Sequence, residues 1–150
     1  MLLRGLSRLM KQTDLAYTAG IIDGEGCISI YRMKVFSHLA LRVSVSSTDE
    51  WLCQFLKFSF GGHIYGPRRR GHNKPCWEWR ITSAGAGEFL RLILPYLRLK
   101  RPQAELAIKF QGAKGRSRKG LTEEERALEE AQKILLSSLK RPNAKDDIRT

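Results

Sequence analysis

Between residues 14 and 24 apolar and small side chains crowd together as DLAYTAGIIDG, and the run predicts a helix, with Asp14 as its N-cap and Gly24 and Gly26 as its stop signals. Directly after it, CISIYRMK and LALRVSVSS predict two strands joined by a turn from Val35 to His38. In the second strand Leu41, Val43 and Val45 alternate with Ala40, Arg42 and Ser44, the period of a strand with one buried face. TDEWLCQFLKFSFGG predicts a second helix, its apolar face supplied by Trp51, Phe55 and Phe58 and its end by Gly61 and Gly62. HIYGPRRR and CWEWRIT predict a second hairpin, with Trp77, Trp79 and Ile81 on one face and Cys76, Glu78 and Arg80 on the other. AGEFLRLILPYL and QAELAIKFQGA predict two more helices. The last, TEEERALEEAQKILLSSLKR, is amphipathic and places acids first and bases last, as the helix dipole prefers.

The order is therefore α-β-β-α-β-β-α with further C-terminal helices. It predicts an α+β fold in which a four-stranded antiparallel sheet carries helices on one face and leaves the other open. Ser29, Tyr31 and Met33 of the first strand, Arg42 and Ser44 of the second, and Tyr65, Glu78 and Arg80 of the second hairpin would line that open face. This mixture suits base edges and phosphates better than a second apolar layer. Residues 14–111 form the predicted core. Residues 1–13 read as an N-terminal extension, and 112–150 as a basic loop, KGRSRKG, with a final helix of the same domain.

Charge sharpens this picture. The 150 residues hold 27 basic and 15 acidic side chains, a formal net charge of +12, and 42% are hydrophobic, enough to fold around one core. Such an excess points first to nucleic acid and second to an anionic membrane surface, against an unspecialised basic surface. No apolar run approaches the roughly 20 residues that cross a bilayer. MLLRGLSRLMKQTD is interrupted by Arg4, Arg8 and Lys11 and lacks a small-residue cleavage site, so an intracellular, non-secreted protein is expected. Cys27, Cys53 and Cys76 lie far apart, and His38, His63 and His72 do not complete a metal-ligand spacing, so neither a disulfide framework nor a zinc site is implied. Sixteen arginines against eleven lysines, with two asparagines, lean toward a prokaryotic source, archaeal or heat-adapted included.

The first helix holds the candidate chemistry. Ala16, Ala19 and Gly20 put small side chains on adjacent turns, which lets another helix approach closely, within one chain or between two. Asp23 and Glu25 fall at the helix C-terminus, where unpaired carbonyls and the dipole disfavour negative charge. A divalent cation would offset them, with a Glu25 oxygen and the Gly24 carbonyl as hard ligands, and flanking glycines would permit the backbone angles that aim a carbonyl at an ion.

YTAGIIDGEG resembles the defining motif of the LAGLIDADG homing endonucleases. SSTDEWL, FGGHI and PYLRLKRPQAE, together with the αββαββα order, extend the resemblance over residues 14–111, with Glu25 where the commoner residue is Asp. The resemblance implies a homodimeric, site-specific endonuclease that cuts both strands of a long, pseudo-palindromic DNA site. Two motif helices would pack across a twofold axis through Ala16, Ala19 and Gly20, with Asp23 bracing the neighbouring helix. Glu25 of each copy would anchor Mg²⁺, or Mn²⁺ or Ca²⁺ in the same sites, with the Gly24 carbonyl as a secondary ligand. Lys100 matches a basic residue near the attacking water or scissile phosphate. Ser47 falls where relatives carry a water-positioning glutamine, though serine is shorter. Glu78 matches an acid near the site in some members, or else accepts a hydrogen bond from cytosine.

The sheets would lie in the major groove, with Arg68, Arg69 and Arg70 at a hairpin tip contacting phosphate or guanine. Lys114, Arg116 and Arg118, with Lys140 and Arg141, would clamp phosphates. No membrane and no small-molecule substrate is implied. Two other classes compete: a non-cleaving protein of the same fold, such as an intron maturase or DNA-binding regulator, and an unrelated basic RNA-binding α+β protein, which leaves the glycine-bracketed acids unexplained.

Overall fold

A computed structural model describes residues 10–35, 38–114 and 120–140. Helix α1 (Gln12–Glu25) leads without a loop into strand β1 (Gly26–Arg32), followed by β2 (Leu39–Ser47), helix α2 (Glu50–Phe60), β3 (His63–Arg68) and β4 (Cys76–Thr82). Helix α3 (Ser83–Ile93) runs into a single 3₁₀ turn at Leu94–Tyr96, followed by α4 (Arg101–Gly112) and α5 (Glu123–Leu139). The four strands form one antiparallel sheet in the order β1-β2-β4-β3, which confirms the predicted α+β class.

Alternation within the strands decides which face is covered. Ile28 and Ile30 of β1, Leu41, Val43 and Val45 of β2, and Trp79 and Ile81 of β4 point into one buried cluster with Ile22 of α1, Leu56 of α2, Phe89 and Leu90 of α3, Phe110 of α4 and Leu136 of α5. The opposite face carries Ser29, Tyr31, Arg42, Ser44, Glu78 and Arg80 and has no helix over it among the described residues. Trp79 is the pivot of the second hairpin. It is fully buried, its Nε1 donates to the Gly61 carbonyl at 2.8 Å, and its ring meets Phe89 edge-on at 5.2 Å.

Several expectations need correcting. Helix α1 begins at Gln12, with extended Lys11 as N-cap and no side-chain cap; Asp14 lies inside the first turn, where a carboxylate suits the dipole, and its carbonyl accepts from Thr18 Oγ1 at 2.8 Å. Gly24 is helical and Gly26 has φ −80°, so neither supplies an unusual backbone angle. Gly26 is required by crowding instead, because a Cβ there would lie 2.8 Å from the Ile22 Cα and carbonyl oxygen. Strand β1 stops at Arg32, which leaves Met33 beyond the strand rather than on its open face; its N–H donates to the His38 carbonyl at 2.8 Å. In α2 the buried stripe is Cys53, Leu56 and Phe60, whereas Trp51 and Phe58 are exposed. That helix has two apolar stripes, and Phe60 settles the choice by packing edge-on against Phe89 at 4.8 Å. Helix α3 starts at Ser83, earlier than predicted, and gives way to the 3₁₀ turn at Pro95, which lacks the amide to continue it.

The turn between α2 and β3 tests this packing. Gly62 has φ +90°, and a Cβ would lie 2.4 Å from the Arg80 carbonyl oxygen, whereas Gly71 has φ +58° but open space around it. Gly62→Ala should lower the unfolding free energy by more than about 2 kcal/mol and Gly71→Ala by only about 1 kcal/mol, read from urea denaturation with both variants side by side.

Candidate active site

A helix C-terminus exposes carbonyl oxygens and a partial negative charge, so two acids there need partners. Asp23 finds three. Its Oδ2 accepts from the Arg98 amide at 2.9 Å, and its Oδ1 accepts from the amides of Leu99 at 3.2 Å and Lys100 at 2.9 Å. The carboxylate thereby braces the segment that enters α4 of the same chain. Lys100 returns the contact: its Nζ donates to the Ile22 carbonyl at 2.9 Å and to the Gly26 carbonyl at 2.5 Å, placing a cation on the end of α1. Charge at this helix end is therefore offset largely within the chain, by three amides and one ammonium, rather than only by an external cation.

Glu25 differs. It is exposed and has no hydrogen bond or ion pair among the described residues, and Gly24 beside it is also exposed with nothing within 4 Å of a would-be Cβ. One free carboxylate and one helix-end carbonyl are hard oxygen donors of the kind Mg²⁺ accepts, but a single copy supplies too few. Among the described residues no group of three or more His, Cys, Asp or Glu forms a metal site.

The remaining candidates sort themselves on the sheet. Ser47, at the end of β2, accepts from the Asp49 amide at 3.0 Å, and Asp49 in turn accepts from the Trp51 amide at 3.0 Å, so both shape the entry to α2. Glu78 lies mid-strand in β4 and holds Arg80, which donates from Nε at 2.8 Å and Nη2 at 2.6 Å. The Arg80 guanidinium also covers the Tyr65 ring at 4.4 Å, as Arg42 covers Tyr31 at 4.8 Å. Arg42 Nε and the Oγ of Ser29, its partner across the strands, are buried without hydrogen-bond partners, while Ser44 pairs with Arg80 across β2 and β4. Arg68, Arg70, Lys74 and Arg80 contribute to a basic cleft of about 480 Å³ at the second hairpin, and Arg69 is exposed beside it.

No family model matches the chain. A curated relative, DNA endonuclease I-CvuI of Chlorella vulgaris, is 27% identical over 106 residues, 66% of this chain and 64% of that protein, so the match spans less than two thirds of the relative's length. The homing endonuclease I-CvuI solved in complex with its target superposes with a TM-score of 0.67 at 24% identity, covering 92% of this chain and 91% of that one. An archaeal intron-encoded homing endonuclease, I-Vdi141I, solved in complex with DNA, gives 0.70 at 15% identity, covering 89% and 88%. This is the LAGLIDADG homing-endonuclease fold.

Within the LAGLIDADG frame, YTAGIIDGEG is the C-terminal part of α1 through Glu25 together with Gly26, the first residue of β1, and the structure divides its small residues. Ala19 is completely buried in the chain's own core, whereas Ala16, Gly20 and Gly24 are exposed at successive four-residue steps. Gly24 thus extends the small-residue face beyond the residues first singled out. Sequence patterning also missed the aromatic neighbours of that face. Tyr17 meets Phe55 edge-on at 5.7 Å, Phe55 stacks on Trp51 at 5.5 Å, and Tyr17, Trp51 and Phe58 are 49%, 61% and 92% exposed. The doubly apolar pattern of α2 was the available signal. Two supposed phosphate clamps have internal partners: Lys114 Nζ is 2.9 Å from Glu129, which ties α4 to α5, and Lys140 Nζ donates to Cys27 Sγ at 3.7 Å. Arg116, Arg118 and Arg141 lie outside the described residues.

The two acids of the motif should separate in stability measurements. Asp23→Asn is expected to cost about 1–2 kcal/mol, because it weakens an acceptor shared by three amides. Glu25→Gln should leave stability unchanged or raise it by up to about 1 kcal/mol, because it removes an unpartnered negative charge from a helix C-terminus. Urea unfolding of both variants at neutral pH decides this; an equal loss in both would contradict the division.

Proposed function

We propose that this LAGLIDADG-fold protein is a homodimeric, divalent-metal-dependent endonuclease that cuts both strands of a long, nearly palindromic DNA site. The observation that carries the proposal is the end of α1. Glu25 is exposed and has no partner among the described residues, and the Lys100 ammonium is docked on the Ile22 and Gly26 carbonyls of the same helix end, where α1 meets the sheet. Naming of the relative I-CvuI as a DNA endonuclease, and the solution of its structures with target DNA, support the same class.

Phosphodiester hydrolysis needs a nucleophilic water, positive charge against the phosphoryl oxygens, and a proton or cation to stabilise the leaving 3′ oxygen. Glu25 with the Gly24 carbonyl would hold a Mg²⁺ ion, which when bound supplies an activated water and positive charge for the phosphate. Lys100 has three N–H donors and commits two to the carbonyls of Ile22 and Gly26, leaving one for the scissile phosphate or its water. Asp23 keeps that lysine in place through the backbone of residues 98–100. Under this proposal no step falls to Ser47, which accepts from the Asp49 amide, or to Glu78, which accepts from Arg80.

The second copy completes the donor set. Ala16, Gly20 and Gly24 offer a face on which two helix backbones can meet, but residues this small bury little apolar area. Tyr17 on the same helix and Trp51 and Phe58 on α2 together expose roughly 450 Å² of aromatic surface, taking about 200–250 Å² for each whole side chain. Standard interfaces bury about 800 Å² per partner, so the aromatic flank supplies much of what the small-residue seam lacks. The open sheets of both copies, with Arg42 and Arg80 central and Arg68 to Arg70 at the hairpin, would then follow the major groove.

The test is cleavage of a native-locus or randomised DNA library in Mg²⁺, alongside sedimentation. The wild type should cut discrete sites on both strands. Glu25→Gln and chelation with EDTA should each abolish cutting while Glu25→Gln still binds, and Phe58→Glu should shift the protein from dimer to monomer. Two chains of +12 give a formal +24, so binding should weaken steeply with salt, by about 0.9 in log affinity per log salt for each neutralised phosphate. Selective binding without any cutting would instead establish the non-cleaving alternative.

A further inference from the structure

The open sheet face carries two Arg–Tyr stacks that look alike and are wired differently. Arg42 lies over Tyr31 with no carboxylate partner among the described residues, and its Nε has no hydrogen-bond partner among them. Arg80 lies over Tyr65 and is gripped along one edge by Glu78, with both Nε and Nη2 donating to the same oxygen, Oε2. Glu78 and Arg80 are two residues apart on β4 and therefore share the open face, and Tyr65 sits directly across from Glu78 on β3. Both charged side chains are about a quarter exposed, on an inner strand between β2 and β3. The hydrogen bond that Arg80 donates to Glu78 pushes the guanidinium further up from an already high value, so its charge is permanent.

We propose that Glu78, Arg80 and Tyr65 form a preorganised guanine-reading unit, in which Arg80 touches the base and Glu78 only positions it. The inference rests on the DNA-binding reading above and goes beyond it by separating the reader from its support. A guanidinium has five N–H donors in a planar fork. Glu78 takes the Nε–Nη2 edge and the Tyr65 side chain also meets the guanidinium, so the donors left for a base are those at the Nη1–Nη2 end that the carboxylate does not take. In the major groove guanine offers two adjacent acceptors, N7 and O6, whereas adenine offers one acceptor beside a donor.

Locking the fork before binding removes the rotamer entropy that a free arginine loses on contact. The pair is close to neutral as a whole, so it adds little to sequence-independent phosphate attraction and most to discrimination. Its place in the cleft with Arg68, Arg70 and Lys74 fits that division, because those flanking cations are the ones without a carboxylate clamp in the cleft lining.

The test is selection of bound sequences from a randomised DNA pool in Ca²⁺, which reads binding without requiring cleavage. Affinity for a non-specific duplex is measured in parallel. For the wild type, one base-pair position in each half-site should show a guanine preference that Arg80→Ala reduces roughly ten- to a hundredfold. Arg80→Lys keeps the charge and loses the fork, so it should lose the same preference while retaining non-specific affinity. Glu78→Gln should weaken that same preference several-fold and yet raise non-specific affinity, since a negative charge leaves the face.

Loss of selectivity at a different base pair in Glu78→Gln would overturn the inference, because Glu78 would then read a base itself. Unchanged selectivity in both Arg80 variants would also overturn it, leaving the pair a structural brace. A wild type that selects no sequence at all would defeat the DNA-recognition proposal and this one together, a result distinguishable because it precedes any variant.

Discussion

The arrangement of this protein depends on a reciprocal clasp between two distant segments. Asp23, near the end of the first helix, collects the amides of residues 98–100, and Lys100 sends its ammonium back to the carbonyls of Ile22 and Gly26. Each half solves the other's problem. The helix end has surplus acceptors and negative charge, while the entrance to α4 has surplus donors. Once they are joined, the first helix, the first strand and the fourth helix share one corner of the molecule. Glu25 is the acid left over, exposed and without a partner among the described residues.

Above that corner the sheet divides the chain's chemistry by alternation. One face is sealed by Trp79, Phe89 and the aliphatic residues of β1 and β2; the other displays arginines on tyrosine rings. The basic excess is not spread evenly in its effect. Arg32 is tied to Glu130, Lys114 to Glu129 and Arg101 to Glu105, so several cations serve cohesion, whereas Arg68 to Arg70 have no ion pair among the described residues.

Much of this was legible in the letters. Period-two alternation located β2 to the residue, and YTAGIIDGEG with its following hairpins pointed to the fold and to Glu25. What escaped had physical reasons. Helix α2 is apolar on two sides, and only the position of Phe89 decides which side is core. Gly24 and Gly26 look alike in sequence, yet one leaves a surface bare and the other avoids a clash with Ile22. The true partners of Asp23, Lys100 and Glu78 are visible only after folding, because pairing across 75 residues or between alternate strand positions leaves no local pattern.

The junction between α1 and β1 has a consequence for redesign. Glu25 is the last residue of the helix and Gly26 the first of the strand, with no loop between them. Under the proposed function, the cutting acid and the recognition surface are therefore one continuous piece of backbone, like a blade forged into its ruler. New side chains on the sheet could change which sequence is held, but the spacing between the letters read and the bond broken would stay as the backbone sets it.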